Sequence, residues 1–120
     1  MITQIATIGI YVDNQEESLR FWTEKIGFEI RASHPMGPHA SWIEVAPKGG
    51  QSCLVLYPKS MMPSWTELKP SVVFLCDDVE NTFDALKSKG VNFLEGPKKM
   101  AWGTYAKFVD IDGNEFLIEG

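Results

Sequence analysis

The sequence predicts an α+β fold: two βαβββ modules forming curved mixed sheets around a concave cleft. Three observations carry this reading. The order of strand-like and helix-like runs occurs twice, each helical run opens on an Asn or Asp and closes on a glycine, and one loose stretch divides the halves. The chain has 120 residues, 44% of them hydrophobic, which is one domain's length with enough apolar side chain to bury a core.

The first module covers about residues 1–58. Residues 5–12 alternate as a strand, with Ile8, Ile10 and Val12 toward a covering helix and Thr7, Gly9 and Tyr11 on the other face. Asn14, followed three residues later by Glu17, is a capping-box-like start, because the Asn side chain accepts from a free backbone N–H and Glu17 reaches back. Leu19, Trp22 and Ile26 recur at helical spacing, and Gly27 supplies the left-handed stop, so the spacing predicts a helix over 15–26. Short strands follow over 28–33, 40–46 and 52–57, separated by the turn sequences Pro35-Met36-Gly37-Pro38 and Pro47-Lys48-Gly49-Gly50.

Residues 58–69, with Met61, Met62, Pro63 and Trp65, read as a linker. The second module, about 70–120, repeats the order. Residues 72–76 form a strand with Val72, Phe74 and Cys76 toward its helix, and Asp77 with Glu80 makes a second capping-box-like pair. Val79, Phe83 and Leu86 form the helical stripe, and Gly90 ends it. Strands over 93–95, 105–109 and 115–118 complete the module, the last two joined by Asp112-Gly113-Asn114. With these caps both helices run thirteen residues from cap to glycine, yet their stripes align only after one is shifted by a residue.

Charge and composition exclude several functions. Eleven basic against sixteen acidic residues, a net charge of −5 and no run of like charge argue against a nucleic-acid partner. No apolar stretch approaches the roughly 20 residues of a spanning helix. Residues 1–4 lack the basic and apolar segments of a leader, so no membrane partner and a cytoplasmic location are expected. Cys53 and Cys76 fall outside any CxxC motif and are expected as buried thiols. There is no Gly-x-Ser-x-Gly elbow, no cysteine–histidine nucleophile pair and no phosphate loop. The run from Asp110 to Glu115 lacks the later ligands of a calcium loop and reads as a turn.

The run Tyr11-Val12-Asp13-Asn14, then Ser18-Leu19-Arg20-Phe21-Trp22 and Ile26-Gly27-Phe28-Glu29, resembles the first module of the vicinal-oxygen-chelate superfamily. That superfamily includes glyoxalase I, bleomycin- and fosfomycin-resistance proteins and extradiol dioxygenases. Phe108-Val109-Asp110-Ile111-Asp112-Gly113-Asn114 resembles its second-module signature, with Ile111 at the usual proline. The resemblance spans essentially the whole chain. It implies a divalent metal on the concave faces, held by His and Glu from the first and fourth strands of each module, where it would polarise a substrate oxygen. Carried over one at a time, those positions are Thr7, Val55, Ser71 and Leu117. Two are neutral hydroxyls and two are hydrocarbons, so a member without the usual metal ligands, and without a cofactor, is expected.

The remaining candidates are aromatic and charged. Trp42 alternates with Ile43 and Val45 and is expected on the face away from the helix, with Glu44 at the edge of the same concavity. Trp102, Tyr105, Lys107 and Glu115 are expected to complete a wall that suits a flat or amphipathic organic ligand. Trp42 and Trp65 serve equally as dimer-interface residues. His34 and His39, five apart in one turn, are solvated loop residues, substrate contacts or a metal-ligating pair, and neither occupies a position that the resemblance assigns to a ligand. Glu44, Glu115 and Glu119 would work as acid and base only if two of them approached each other. No catalytic residue is assigned. Three functions stay open on the residues alone: metal-free binding of a small organic molecule, a glyoxalase-like lyase, isomerase or dioxygenase with an atypical ligand set or metal-free acid–base chemistry, or a purely structural or partner-binding domain. A homodimer is expected.

Overall fold

The computed structural model of the chain describes residue 1 and residues 4–120. Of the N-terminal residues read for a leader, Ile2 and Thr3 lie outside the described residues. The chain divides into two compact units, Met1–Pro70 and Ser71–Gly120.

In the first unit, β1 (Thr7–Val12), β2 (Glu29–Pro35), β3 (Ser41–Ala46) and β4 (Cys53–Pro58) form a four-stranded sheet in the order β1-β4-β3-β2. β1 runs parallel to β4, and the other neighbours are antiparallel. Ile10, Val12, Ile43, Val45, Leu54 and Leu56 are buried, on the face that takes the helix. Helix α1 (Gln15–Arg20) starts at Asn14, whose side chain accepts from the Glu17 N–H. Gln15 pins that start to the sheet: its Nε2 donates to the carbonyls of Ser41 at 2.6 Å and Leu56 at 2.7 Å, and its Oε1 accepts from the Ser41 N–H.

The expected helix over 15–26 is not uniform. After Arg20 it widens into a π-helical turn, Phe21–Lys25, in which the Ile26 N–H reaches the Phe21 carbonyl. A π turn holds one more residue than an α turn. It lets the neighbours Phe21 and Trp22 both turn inward, and Trp22 is fully buried between the rings of Phe21 and Phe28. Gly27, at φ 89°, then reverses the chain in the left-handed conformation that a β-carbon disfavours.

In the second unit, β5 (Val72–Leu75), β6 (Asn92–Met100), β7 (Gly103–Val109) and β8 (Glu115–Glu119) form a sheet in the order β5-β8-β7-β6, with β5 parallel to β8. Phe74, Phe93, Phe108 and Phe116 cluster on the side of α2 (Val79–Ser88), whose Phe83 packs on Phe93 with centroids 4.6 Å apart. The Asp110–Asn114 segment is a turn: buried Asp110 accepts from the N–H groups of Asp112 and Asn114.

Three sequence expectations are corrected. The first strand starts at Thr7, where its ladder with Cys53 begins. The strand expected over 93–95 runs the whole of Asn92–Met100, because β6 is an edge strand, where Pro97 need not donate, and it absorbs Gly96-Pro97 through register shifts. The cap of α2 is Asp78, accepting from the Asn81 N–H at 3.0 Å, and not Asp77. Moving that cap by one residue removes the misfit between the helical stripes. Counted from Asn14 and Asp78, Leu19 corresponds to Phe83 and Trp22 to Leu86. The leftover residue between Trp22 and Gly27 is the π turn.

Asp78→Ala is expected to lower unfolding stability by about 1 kcal/mol, whereas Asp77→Ala stays within about 0.5 kcal/mol of the parent. Urea melts of the two variants check this, and the reverse order would restore the Asp77 cap.

Candidate functional site

The sheet of the first unit has a second face, turned away from α1, and strand register arranges its side chains in rows. One row holds Tyr11 opposite Tyr57, with Trp42 opposite His34. The next holds Gly9, Val55, Glu44 and Ala32, each paired with its neighbour across β1-β4-β3-β2. Below them Thr7 faces Cys53. A ridge of rings therefore borders a row of small side chains that contains one carboxylate.

The rings meet edge to face. Tyr57 stands at 83° to Tyr11 with centroids 6.2 Å apart, and at 83° to Trp42 with centroids 6.3 Å apart. Such pairs set the positive edge of one ring against the negative face of the next. The Tyr11 phenol leans back over Gly9, where an added β-carbon would lie 3.7 Å from its oxygen. All three rings are half-buried.

Glu44 is half-buried beside them. Because Trp42 and Glu44 are two apart on one strand, they share a face, and the Trp42 Nε1–H donates to Glu44 Oε2 at 2.7 Å. The Cys53 thiol also hydrogen-bonds Glu44. Burial pushes that thiol above its ordinary value of 9.0, the Glu44 charge and hydrogen bond push it further the same way, and Arg31 opposes them. Arg31 is committed elsewhere: it donates to Glu29 Oε1 and to the carbonyls of Pro47 and Gly50. Among the described residues no basic side chain pairs with Glu44.

The family's metal positions do not fit an ion here. Thr7 and Val55 lie on this face, Val55 only 2% exposed, and Leu117 lies on β8 opposite Val73 with Ser71 just before β5. Val55 and Leu117 have no donor atom, and the hydroxyls of Thr7 and Ser71 are weak neutral ligands. Among the described residues no three His, Cys, Asp or Glu side chains converge as a metal-binding group.

The other candidates sit in the second unit. Trp102, largely exposed, stacks on Tyr105 at 5.9 Å and 19°. Lys107 Nζ lies 3.5 Å from Glu115, so that carboxylate has a basic partner. Glu119 faces Tyr105 and Leu75, and Leu75 is 83% exposed. His34 is exposed at the end of the aromatic row, and His39 lines a surface pocket of about 490 Å³ beside the start of α1. Alternation along β3 puts Trp42 and Glu44 on one face, as expected, whereas Tyr11, Tyr57 and Cys53 join them without having been expected as site residues. For Tyr57 and Cys53, parity with Val55, itself assigned to that face, is the signal that finds them.

A profile of the Glyoxalase/Bleomycin resistance protein/Dioxygenase superfamily matches residues 4–118. The chain belongs to this family. It is 52% identical over 119 residues to the Bacillus subtilis (strain 168) protein YetH, covering 99% of each chain. Among solved structures, it resembles TnmS3, an antibiotic binding protein from Streptomyces sp. CB03234, with 34% identity, a TM-score of 0.82 and coverage of 98% of this chain and 95% of that one. A member of the same superfamily from Sphaerobacter thermophilus DSM 20745 gives a TM-score of 0.88 at 27% identity, covering 98% and 97%. No helix among the described residues is long and apolar enough to cross a membrane.

The raised thiol makes a signed prediction. Between 9.0 and its folded value, Cys53 keeps in the folded state a proton that the unfolded chain has lost. Stability is therefore full below pH 9.0 and falls as pH rises through the folded value. Denaturant melts from pH 8 to about 10.5 are expected to show this loss in the parent and a shallower one in Cys53→Ala. Equal slopes would remove the thiol as its source.

Proposed function

We propose that this chain is a metal-independent binding protein of the glyoxalase/bleomycin-resistance type, which holds a small organic molecule against the aromatic face of the first unit. The single observation that carries the reading is the row of rings Tyr11, Tyr57 and Trp42, with Tyr57 perpendicular to each of its neighbours, half-buried beside Glu44. Flat apolar walls with few polar groups suit an organic ligand of modest size. The 34% identity to an antibiotic binding protein supports the same class of ligand. The replaced metal positions Thr7, Val55, Ser71 and Leu117 support binding without an ion. On the second unit, taken by itself, the Trp102–Tyr105 stack and the Lys107–Glu115 pair are a separate candidate contact surface for a small molecule. The reading includes a cytoplasmic homodimer, which the exposed Val73 and Leu75 side chains support as apolar surface for association.

Calorimetric titration of a panel of flat and amphipathic organic molecules is expected to give a saturable ligand at one per chain. Trp42→Ala or Tyr57→Ala should weaken it by about tenfold, the loss of one well-packed ring contact. A panel without a binder, or a binder indifferent to both changes, would sink the reading. Saturable thermal stabilisation by Zn²⁺, Ni²⁺, Mn²⁺ or Fe²⁺ would instead support the lyase, isomerase or dioxygenase with an atypical ligand set.

A further inference from the structure

We infer that the aromatic face of the first unit selects an organic cation, a protonated amine or a quaternary ammonium, with Glu44 as its counter-charge and the rings of Trp42, Tyr57 and Tyr11 as its walls. The inference rests on the small-molecule reading above and adds the charge of the ligand.

Glu44 has no basic partner among the described residues. Its neighbours across the sheet are Val55 and Ala32, both apolar, and Val55 is 2% exposed. Its hydrogen bonds come from an indole N–H and a thiol, both neutral. Such donors hold the carboxylate in place without cancelling its charge. Arg31, whose charge acts on Cys53, has its guanidinium turned to Glu29, Pro47 and Gly50. Lys59, the other basic group with a defined partner in this unit, is held by Asp13 at 3.3 Å and by the Trp65 ring. Half-buried negative charge without a basic partner is costly, and a cation brought alongside recovers part of that cost.

The rings point the same way. An aromatic face is negative, and a cation placed over it gains most from Trp and then Tyr. Because Tyr57 is perpendicular to both neighbours, the cluster turns ring faces in more than one direction. An anion here would meet Glu44 and ring faces of the same sign. A neutral ligand would keep the apolar contacts and leave Glu44 as it was.

The test compares three probes of one shape: (4-hydroxyphenyl)trimethylammonium, its uncharged carbon counterpart 4-tert-butylphenol, and 4-hydroxybenzenesulfonate. Binding is read by calorimetry and by the perturbation of indole N–H resonances. The ammonium is expected to bind about tenfold more tightly than the phenol, the sulfonate least, and added salt to weaken only the ammonium. Glu44→Gln should erase the difference between ammonium and phenol, while Glu44→Asp keeps part of it. In the unmodified protein, the salt dependence alone decides the matter should Glu44→Gln fail to fold. Equal binding of ammonium and phenol, or preference for the sulfonate, would overturn the cation inference and leave the aromatic binding reading standing. No binding by any of the three would also overturn it, and the wider panel then decides the binding reading separately.

Discussion

Residue-for-residue parallel pairing of β1 with β4, from Thr7 opposite Cys53 to Val12 opposite Pro58, determines what each face of the first unit can be. Side chains alternate on strands, so this pairing sends Ile10, Val12, Leu54 and Leu56 to the core and leaves Tyr11, Tyr57 and Val55 on the other face. A slip of one residue would exchange the two sets and place phenols against the helix. Gln15 opposes such a slip, since its amide bridges the carbonyls of Ser41 on β3 and Leu56 on β4 at once. The helix start, the register and the ring cluster are thus one constraint seen from three places.

Much of this was legible in the sequence, because a switch of apolar period from two to about 3.6 and a terminal glycine are local signals. The misplaced cap shows where local signals stop. Asp77 and Asp78 are both plausible caps, and Asp77 has the better partner in Glu80. The choice falls to pairing elsewhere: the Cys76 N–H bonds the Glu119 carbonyl, carrying the strand ladder one residue past Leu75, and the helix starts later. Gly96-Pro97 misled for a similar reason, since only an edge position makes a proline harmless there. Of the site, alternation placed Trp42 and Glu44 on one face. The indole–carboxylate bond, and the absence of a basic partner among the described residues, depend on side-chain directions that spacing does not encode.

The two sheets share a topology and differ in electrostatics. On β7 and β8, Lys107 answers Glu115, so that surface carries its own counter-charge. On β3, Glu44 is held by neutral donors. At the positions where the resemblance implies metal ligands, the chain carries the hydroxyls of Thr7 and Ser71 and the hydrocarbons of Val55 and Leu117. The second face of the first unit presents instead three rings and the Glu44 carboxylate.

The π turn at Phe21–Lys25 gives α1 a property that α2 lacks. An extra residue has been taken up inside a helix without changing the residues that cap it or the strands it joins. Deleting one residue there would shorten the helix to the pattern of α2 and leave Asn14, Gln15 and Gly27 in their roles. A one-residue change of length can therefore be absorbed within the helix itself, on the opposite side of the sheet from the face that carries the rings.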